Sequence, residues 1–460
     1  MEQLNQLIDG ISRRVSLNLT EYDFDTDHFV HSVTDQAKLL ECCASYDATS
    51  QIPFQLNFHE CNIAGSYFLG NCRVDKSVVY KSDIRGDELK RKGDSAIHSK
   101  YTLSDDEVIS ITNSFLFKTL IHGKSYNPET PEEFFIRNTA AAHYATIHGS
   151  TLEGCYIGAF ATVDRTSLHA CLVGEFSYIQ ANDLFHKELK RGTVWFENEH
   201  YSFRYTYPET ILDRYISHGN DCQPTGALYE FTEKLNIELE KMPPQSADIP
   251  IDTSHPYFIN HFAVINGETE IGKGVSICQR VFIEKSEIGD NATALENSCI
   301  INSKLSNHTI ITHGVKVIYT TLGKNVFTGM NSFLNGKEDA DISIGDGCII
   351  MPHTIIDPVE SIKIPSDQLI WGFISTQEDV ATHSVSLKEL NQTKKISMGN
   401  MTFEGKGHAF VDALNHRTDL IPQDRNDNSI QDSENTSVFV IQPYGTGPKT
   451  GIYPTLKIEE

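Results

Sequence analysis

The sequence predicts a mainly β protein with two left-handed parallel β-helix regions and helical segments at the N-terminus and in the linker. Three observations predict it. First, Ile265, Ile271, Ile277 and Ile283 recur every six residues without a break. Leu322, Thr328 and Leu334 keep that spacing, as do Ile344, Ile350 and Ile356, and in the first half the pairs Ile63/Leu69, Ile157/Val163 and Val173/Ile179. Second, a turn residue follows the aliphatic one, with Gly after both Ile271 and Ile288. Third, a period of six fits neither the α-helix nor the plain alternating strand. It fits a triangular coil with a short strand on each face and a tight turn at each corner. One branched aliphatic per face points inward, and Gly, Asn or Asp takes the corner. Between runs the spacing slips to five, as from Ile283 to Ile288 and from Ile147 to Leu152.

In chain order, residues 1–54 read as a polar, helical N-terminal cap and residues 55–185 as the first coil. Two excursions interrupt that coil, ELKRKGD followed by LSDDE near 88–110 and KSYNPETPEEFF near 124–136. Such excursions are where a coil places the walls of a site. Residues 186–250 read as a helical insert. FHKELKRGTVW and LYEFTEKLNIELEKM look amphipathic, the second with Leu228, Phe231, Leu235 and Leu239 on one face, and Pro243-Pro244 end that helix. Residues 251–375 form the second coil. Residues 376–460 lack the period, and QDRNDNSIQDSENTS within them reads as mobile.

Composition narrows the function. A formal net charge of -24 excludes a nucleic-acid partner and an anionic membrane surface, both of which favour basic residues. No apolar run reaches the ~18 residues of a membrane span. MEQLNQLIDGISRRVSLNL has no apolar core of a secretory signal. The 10 Cys include no C-x-x-C, so they read as reduced thiols of a cytoplasmic protein.

The candidate chemistry lies in the first coil. AHYATIHG places His143 and His148 five apart, with Gly149 after them, and LIHG supplies His122 upstream. On a six-residue face that offset sets the two rings at neighbouring corners. With 18 residues expected per turn, His122 and His143 lie about one turn apart. Imidazole is a ligand for Zn²⁺ and similar ions, and three protein ligands with one open position make a catalytic site.

These residues resemble the γ-class carbonic anhydrases and their trimeric β-helix relatives. In that family an Arg-x-Asp pair precedes a first ligand His, and a loop and a His-x4-His-Gly pair follow. Here Arg85-Gly86-Asp87 lie in SVVYKSDIRGDE, His122 in TNSFLFKTLIHG, and His143 and His148 in AHYATIHG. The closest likeness covers about 75–165. Phe115-Leu116-Phe117 stand where the family has Gln-Asp-Gly. The resemblance implies Zn²⁺ or Fe²⁺ on His122, His143 and His148, with the ligands shared between subunits of a homotrimer or another homo-oligomer. It implies an Arg85–Asp87 ion pair and a metal-bound hydroxide acting on CO₂ or a larger small-molecule substrate. Position alone makes Glu132 and Glu133 candidate proton shuttles.

The second coil carries SNHTIITHG, in which His308, His313 and Gly314 repeat the offset of five. A tandem duplication follows from that, without the upstream third ligand. Two other classes compete with the metalloenzyme. One is a six-repeat acyltransferase using an acyl-coenzyme A donor, with His169, His308 or His353 as base. The other is a non-catalytic scaffold.

Overall fold

The computed structural model describes the chain except residues 1, 49–54, 94–101, 125–132, 220–221, 242–257, 261, 417–436, 444–449 and 460. It contains two left-handed parallel β-helices and falls into two compact units. The first unit holds residues 1–193, 217–225 and 434–460, and the second holds 194–216 and 226–433.

In the first unit, short strands stack in parallel rungs. Thr146–His148 pairs with Thr162–Asp164, and Ala140–Ala141 with Tyr156–Ile157. These partners stand sixteen residues apart, not the eighteen expected from three six-residue faces. The corners account for the difference. Four residues link Ala141 to Thr146, three link His148 to Leu152, and two link Glu153 to Tyr156. At the two-residue corner one residue per rung takes the left-handed conformation, namely Asn113, Asn138, Gly154, Ala170 and His186 in turn. Asn and Gly enter that region at low cost. The shortest corner thereby closes without a third residue. The inward column is aliphatic and buried, running Ile84, Ile121, Ile147, Val163 and Ile179.

The first coil is longer than its sequence pattern. Cys43–Ala48, expected in the helical cap, is a strand parallel to Asn62–Gly70. At the other end FHKELKRGTVW is not a helix. Leu184–Phe185 and Glu188–Leu189 are strands that continue the rungs, and Thr193–Glu197 is also a strand. His186 and Gly192 adopt positive φ there, which breaks a helix, and the β-branched and aromatic run Thr193-Val194-Trp195-Phe196 favours a strand. The cap itself is helical over Glu2–Asn18 and Thr26–Val33. Phe29 packs edge-on against Tyr156 at 5.1 Å, and the Tyr22 hydroxyl donates to the Ala170 carbonyl. The C-terminal residues are partly structural. Ser437–Ile441 pairs antiparallel with Cys43–Ala48, and Leu456–Glu459 with Gln55–His59. Most of the stretch read as mobile lies outside the described residues, as does Pro243-Pro244.

In the second unit, three parallel sheets form a more regular prism with a seventeen-residue rung through its middle, as in Cys299 opposite Lys316. Ile277, Ile283, Ile300, Val317, Leu334 and Ile356 lie in one continuous buried core. The insert contributes a four-residue helix, Glu209–Leu212, and a longer one, Ala227–Lys241. Its Leu235 packs on Val264, Phe282 and Cys299 of one outer face, with Phe231 and Leu239 alongside. The antiparallel strands Tyr201–Thr206 and Met401–Gly405 lie beside this coil's sequence but outside its prism.

Candidate functional site

The outward face of one sheet of the first coil carries a column of polar side chains. Register places Arg85 opposite His122, His122 opposite His148, and His148 opposite Asp164. Each is the last residue of a three-residue register block whose middle residue points into the core. Four chemistry-bearing groups therefore follow one another at the pitch of a β-ladder, about 4.8 Å per rung. All are largely buried, with Asp164 only 1% exposed.

His148 Nδ1 lies 2.8 Å from Asp164 Oδ1. The other carboxylate oxygen accepts from the Tyr178 hydroxyl at 2.5 Å. Arg165 Nε sits 3.6 Å from Asp164 Oδ1. The carboxylate thus fixes the orientation and tautomer of the ring, and Nε2 becomes the nitrogen that exchanges a proton or meets a ligand. Gly149 follows His148 at positive φ, and its N–H donates to the His122 carbonyl. That turn explains the glycine of the His-x4-His-Gly string.

Of the residues predicted from sequence, His122 and His148 come together. Their ring centroids are 5.2 Å apart, and a ring nitrogen of each lies within 4.8 Å of the other. Glu88 Oε2 stands 3.6 Å from His122 Nε2. Arg85 and Asp87 form a bidentate ion pair, with Nη2 2.7 Å and Nε 3.2 Å from the two carboxylate oxygens. His143 stands apart, in the turn after Ala140–Ala141, against the Phe117 ring at 4.5 Å. Burial pushes its basicity well below that of an ordinary histidine, helped by the nearby Lys118 and His218. The rung partner of His122 is therefore His148, not His143, because the sixteen-residue rung and the intervening excursion shift the register. Within the first unit the donors suit two ligands of a metal, with Asp164 holding one of the two rings. The third would come from elsewhere, as the shared-ligand arrangement implies. Glu133 is exposed at the start of the strand Glu133–Arg137, and Glu132 lies outside the described residues.

The residues missed from the sequence are Asp164 and Tyr178. The signal was present, since His148 and Asp164 differ by one sixteen-residue rung, but the eighteen-residue assumption hid it. The bases named for acyl transfer fare differently. His308 is an exposed turn residue at φ 60°, and His169 stacks on exposed Phe185 at 4.8 Å. His353 is fully buried, with its carbonyl accepting from Tyr207.

The repeat in the second coil is also out of step with the first. His148 ends a strand, whereas His313 lies in the turn between Ile310–Ile311 and Lys316–Ile318, the corner that corresponds to His143. Nearby Lys316 is buried, which pulls its ammonium down to about 8. Below pH 8 the folded chain carries that charge in a dry site, and between about 8 and 10.5 only the unfolded chain still holds the proton. Stability should therefore rise with pH across that window. Lys316→Met should flatten the rise and raise the melting temperature at pH 7, as measured by thermal melts across pH.

A family model described as "Hexapeptide repeat including loop" matches residues 99–220. The chain is 41% identical to a protein from Desulfovibrio desulfuricans G20 whose crystal structure is described as that of a "putative acetyltransferase", with 99% of this chain and 98% of that one covered at a TM-score of 0.90. The chain belongs to the hexapeptide-repeat family. This hexapeptide-repeat chain also aligns, at 22% identity over 26% of its length and 54% of the other chain, with a mutant of perosamine N-acetyltransferase from Caulobacter crescentus. The TM-score of that alignment, 0.15, gives it no weight. No curated protein matches the hexapeptide-repeat chain. The relative that spans the hexapeptide-repeat chain is described as an acetyltransferase, not as an anhydrase.

Proposed function

We propose that the protein is an acyltransferase in which His148 is the general base. The observation that carries the reading is the buried His148–Asp164–Tyr178 relay. The likeness, over nearly the whole of both chains, to a protein described as a "putative acetyltransferase" supports acyl transfer as its use. The acceptor X–H gives its proton to His148 Nε2 as X attacks the thioester carbonyl of an acyl-coenzyme A. The C–S bond breaks, the coenzyme leaves as thiolate, and that thiolate takes up the proton. Asp164 keeps Nδ1–H in place and stabilises the imidazolium, and the Tyr178 hydroxyl holds the other Asp164 oxygen. The test is acceptor-dependent release of free thiol from acetyl-coenzyme A across a panel of small amines and alcohols. Release no faster than uncatalysed hydrolysis would sink the reading.

The paired imidazoles favour a second reading, the metal-dependent lyase or hydrolase. Here His122 and His148 would hold Zn²⁺ or Fe²⁺, with the third ligand coming from elsewhere. Such an ion would lower the pKa of a bound water or polarise a carbonyl. His122→Ala or His148→Ala should then abolish a stoichiometric metal content read by elemental analysis. Metal-free wild-type protein from supplemented medium leaves acyl transfer alone. Metal-loaded protein that hydrates CO₂ and releases no thiol replaces it.

A further inference from the structure

Two cysteines of the first coil stand one above the other. Tyr156 pairs in parallel with Leu172, so the residues before them, Cys155 and Cys171, occupy the same corner on successive rungs. The Tyr156 N–H donates to the Cys171 carbonyl at 3.0 Å. Both cysteines are buried free thiols, and both take the same pose. Cys155 Sγ lies 3.3 Å from the Glu153 carbonyl, and Cys171 Sγ lies 3.3 Å from the His169 carbonyl. At the ladder pitch of about 4.8 Å, their Cα atoms fall inside the ~4.4–6.8 Å that a disulfide spans.

Hydroxyls hold this corner on the earlier rungs. Ser77, Ser114 and Thr139 each accept from the backbone N–H one rung on, at 3.0 to 3.3 Å. The following corner keeps hydroxyls through the same rungs, with Ser150 accepting from the Thr166 N–H and Thr166 from the Ala181 N–H. A thiol is a weak donor and a weak acceptor, so Ser or Thr would hold the corner better. What stacked thiols add is exchange chemistry. The Cys155 thiol beside it pulls Cys171 below an ordinary thiol. Burial pushes up Cys155 itself, and also Cys61, Cys72, Cys299 and Cys348. Cys171 thus has the character of an attacking sulfur, and Cys155 that of the thiol that resolves the bond. The N-terminal cap lies over both. The Tyr22 hydroxyl donates to the carbonyl of Ala170, next to Cys171, and the Phe24 ring lies 4.0 Å from that of Tyr156, next to Cys155. Chain ends of this kind open locally at low cost, which gives an oxidant its route.

We propose that Cys155 and Cys171 form a thiol–disulfide modification site, oxidised to a bridge between rungs by a small-molecule disulfide such as oxidised glutathione. The Cys171 thiolate attacks one sulfur of the oxidant, whose S–S bond breaks and releases one thiolate. Cys155 gives its proton to that thiolate and attacks Cys171 Sγ. The second thiolate leaves and takes up the proton that Cys171 had lost to solvent. Two electrons pass from the cysteine pair to the oxidant, which ends as two thiols. The site lies at a different corner from His148 and is independent of the acyl-transfer reading.

The test is intact-mass spectrometry with peptide mapping of the folded, full-length protein after incubation with oxidised glutathione near neutral pH. The wild type should lose two hydrogens at this pair, with Cys155 linked to Cys171. Cys155→Ser should stop at a glutathione adduct on Cys171, and Cys171→Ser should leave Cys155 unmodified. Both variants should keep the wild-type far-UV spectrum, since a hydroxyl suits the corner. Phe24→Ala loosens the cap and should speed bridge formation several-fold. A wild-type pair that stays reduced overturns the proposal, whatever the variants do. So does a bridge mapped to another pair, or an adduct on Cys155 in Cys171→Ser. A Phe24→Ala rate equal to that of the wild type overturns the role given to the cap.

Discussion

Changing His148 to alanine should lower acceptor-dependent thiol release by about 10²–10⁴-fold, the largest catalytic effect expected of any single side chain in the first coil. The ring sits between two rungs that contribute through different means. Asp164 fixes which nitrogen reacts, and the backbone ladder fixes where it is. Asp164→Asn should therefore approach the same loss while preserving shape. An amide can present its N–H to Nδ1, which stabilises the wrong tautomer and leaves no charge to balance the imidazolium. Tyr178→Phe should cost less, since it removes a donor to Asp164 and touches no reacting atom. The ordering His148 ≥ Asp164 > Tyr178 in kcat, from steady-state rates on folded protein, distinguishes a relay from three unrelated buried groups. Equal, small losses for all three would contradict it.

The second large effect is on stability. Ile300 is fully buried in the second coil, with Ile283 on the rung before and Val317 on the rung after. Ile300→Ala deletes the inward side chain of one face at a middle rung. The neighbouring strands cannot close the space, because each is tied at its fixed ladder spacing to rungs on both sides. A loss of about 2–5 kcal/mol follows from the missing contacts and the cavity, seen as a lower denaturation midpoint. The same truncation at Ile265, which is only partly buried, should cost clearly less.

The fold was largely legible because its strongest constraint is periodic. Ile265 through Ile283 mark one inward residue per face, and that spacing survives whatever occupies the corners. Where the corner shrinks, legibility fails. The two-residue corner at Gly154 and Ala170 shortens the rung, and an eighteen-residue assumption then pairs His122 with the wrong histidine. Amphipathicity misled at FHKELKRGTVW, where Leu189 is the buried residue of a two-residue strand rather than part of a helical stripe. In the site, His122 and His148 were visible as residues, and Arg85–Asp87 as a pair. Asp164 and Tyr178 were invisible until the rung length was known, since nothing in their local sequence marks a carboxylate or phenol as a partner of a histidine many residues away.

The column from Arg85 to Asp164 has a consequence for specificity. Its members are separated by backbone pitch rather than by side-chain reach, so it is a ruler with graduations of about 4.8 Å. Three steps span roughly 14 Å. Point mutation can change what each graduation recognises, but it cannot change the interval between them. A longer or shorter reach would take the insertion or removal of a whole rung, sixteen residues at a time in this stretch. In a protein of this construction, lengths of chain and not single residues are the units in which reach can be altered.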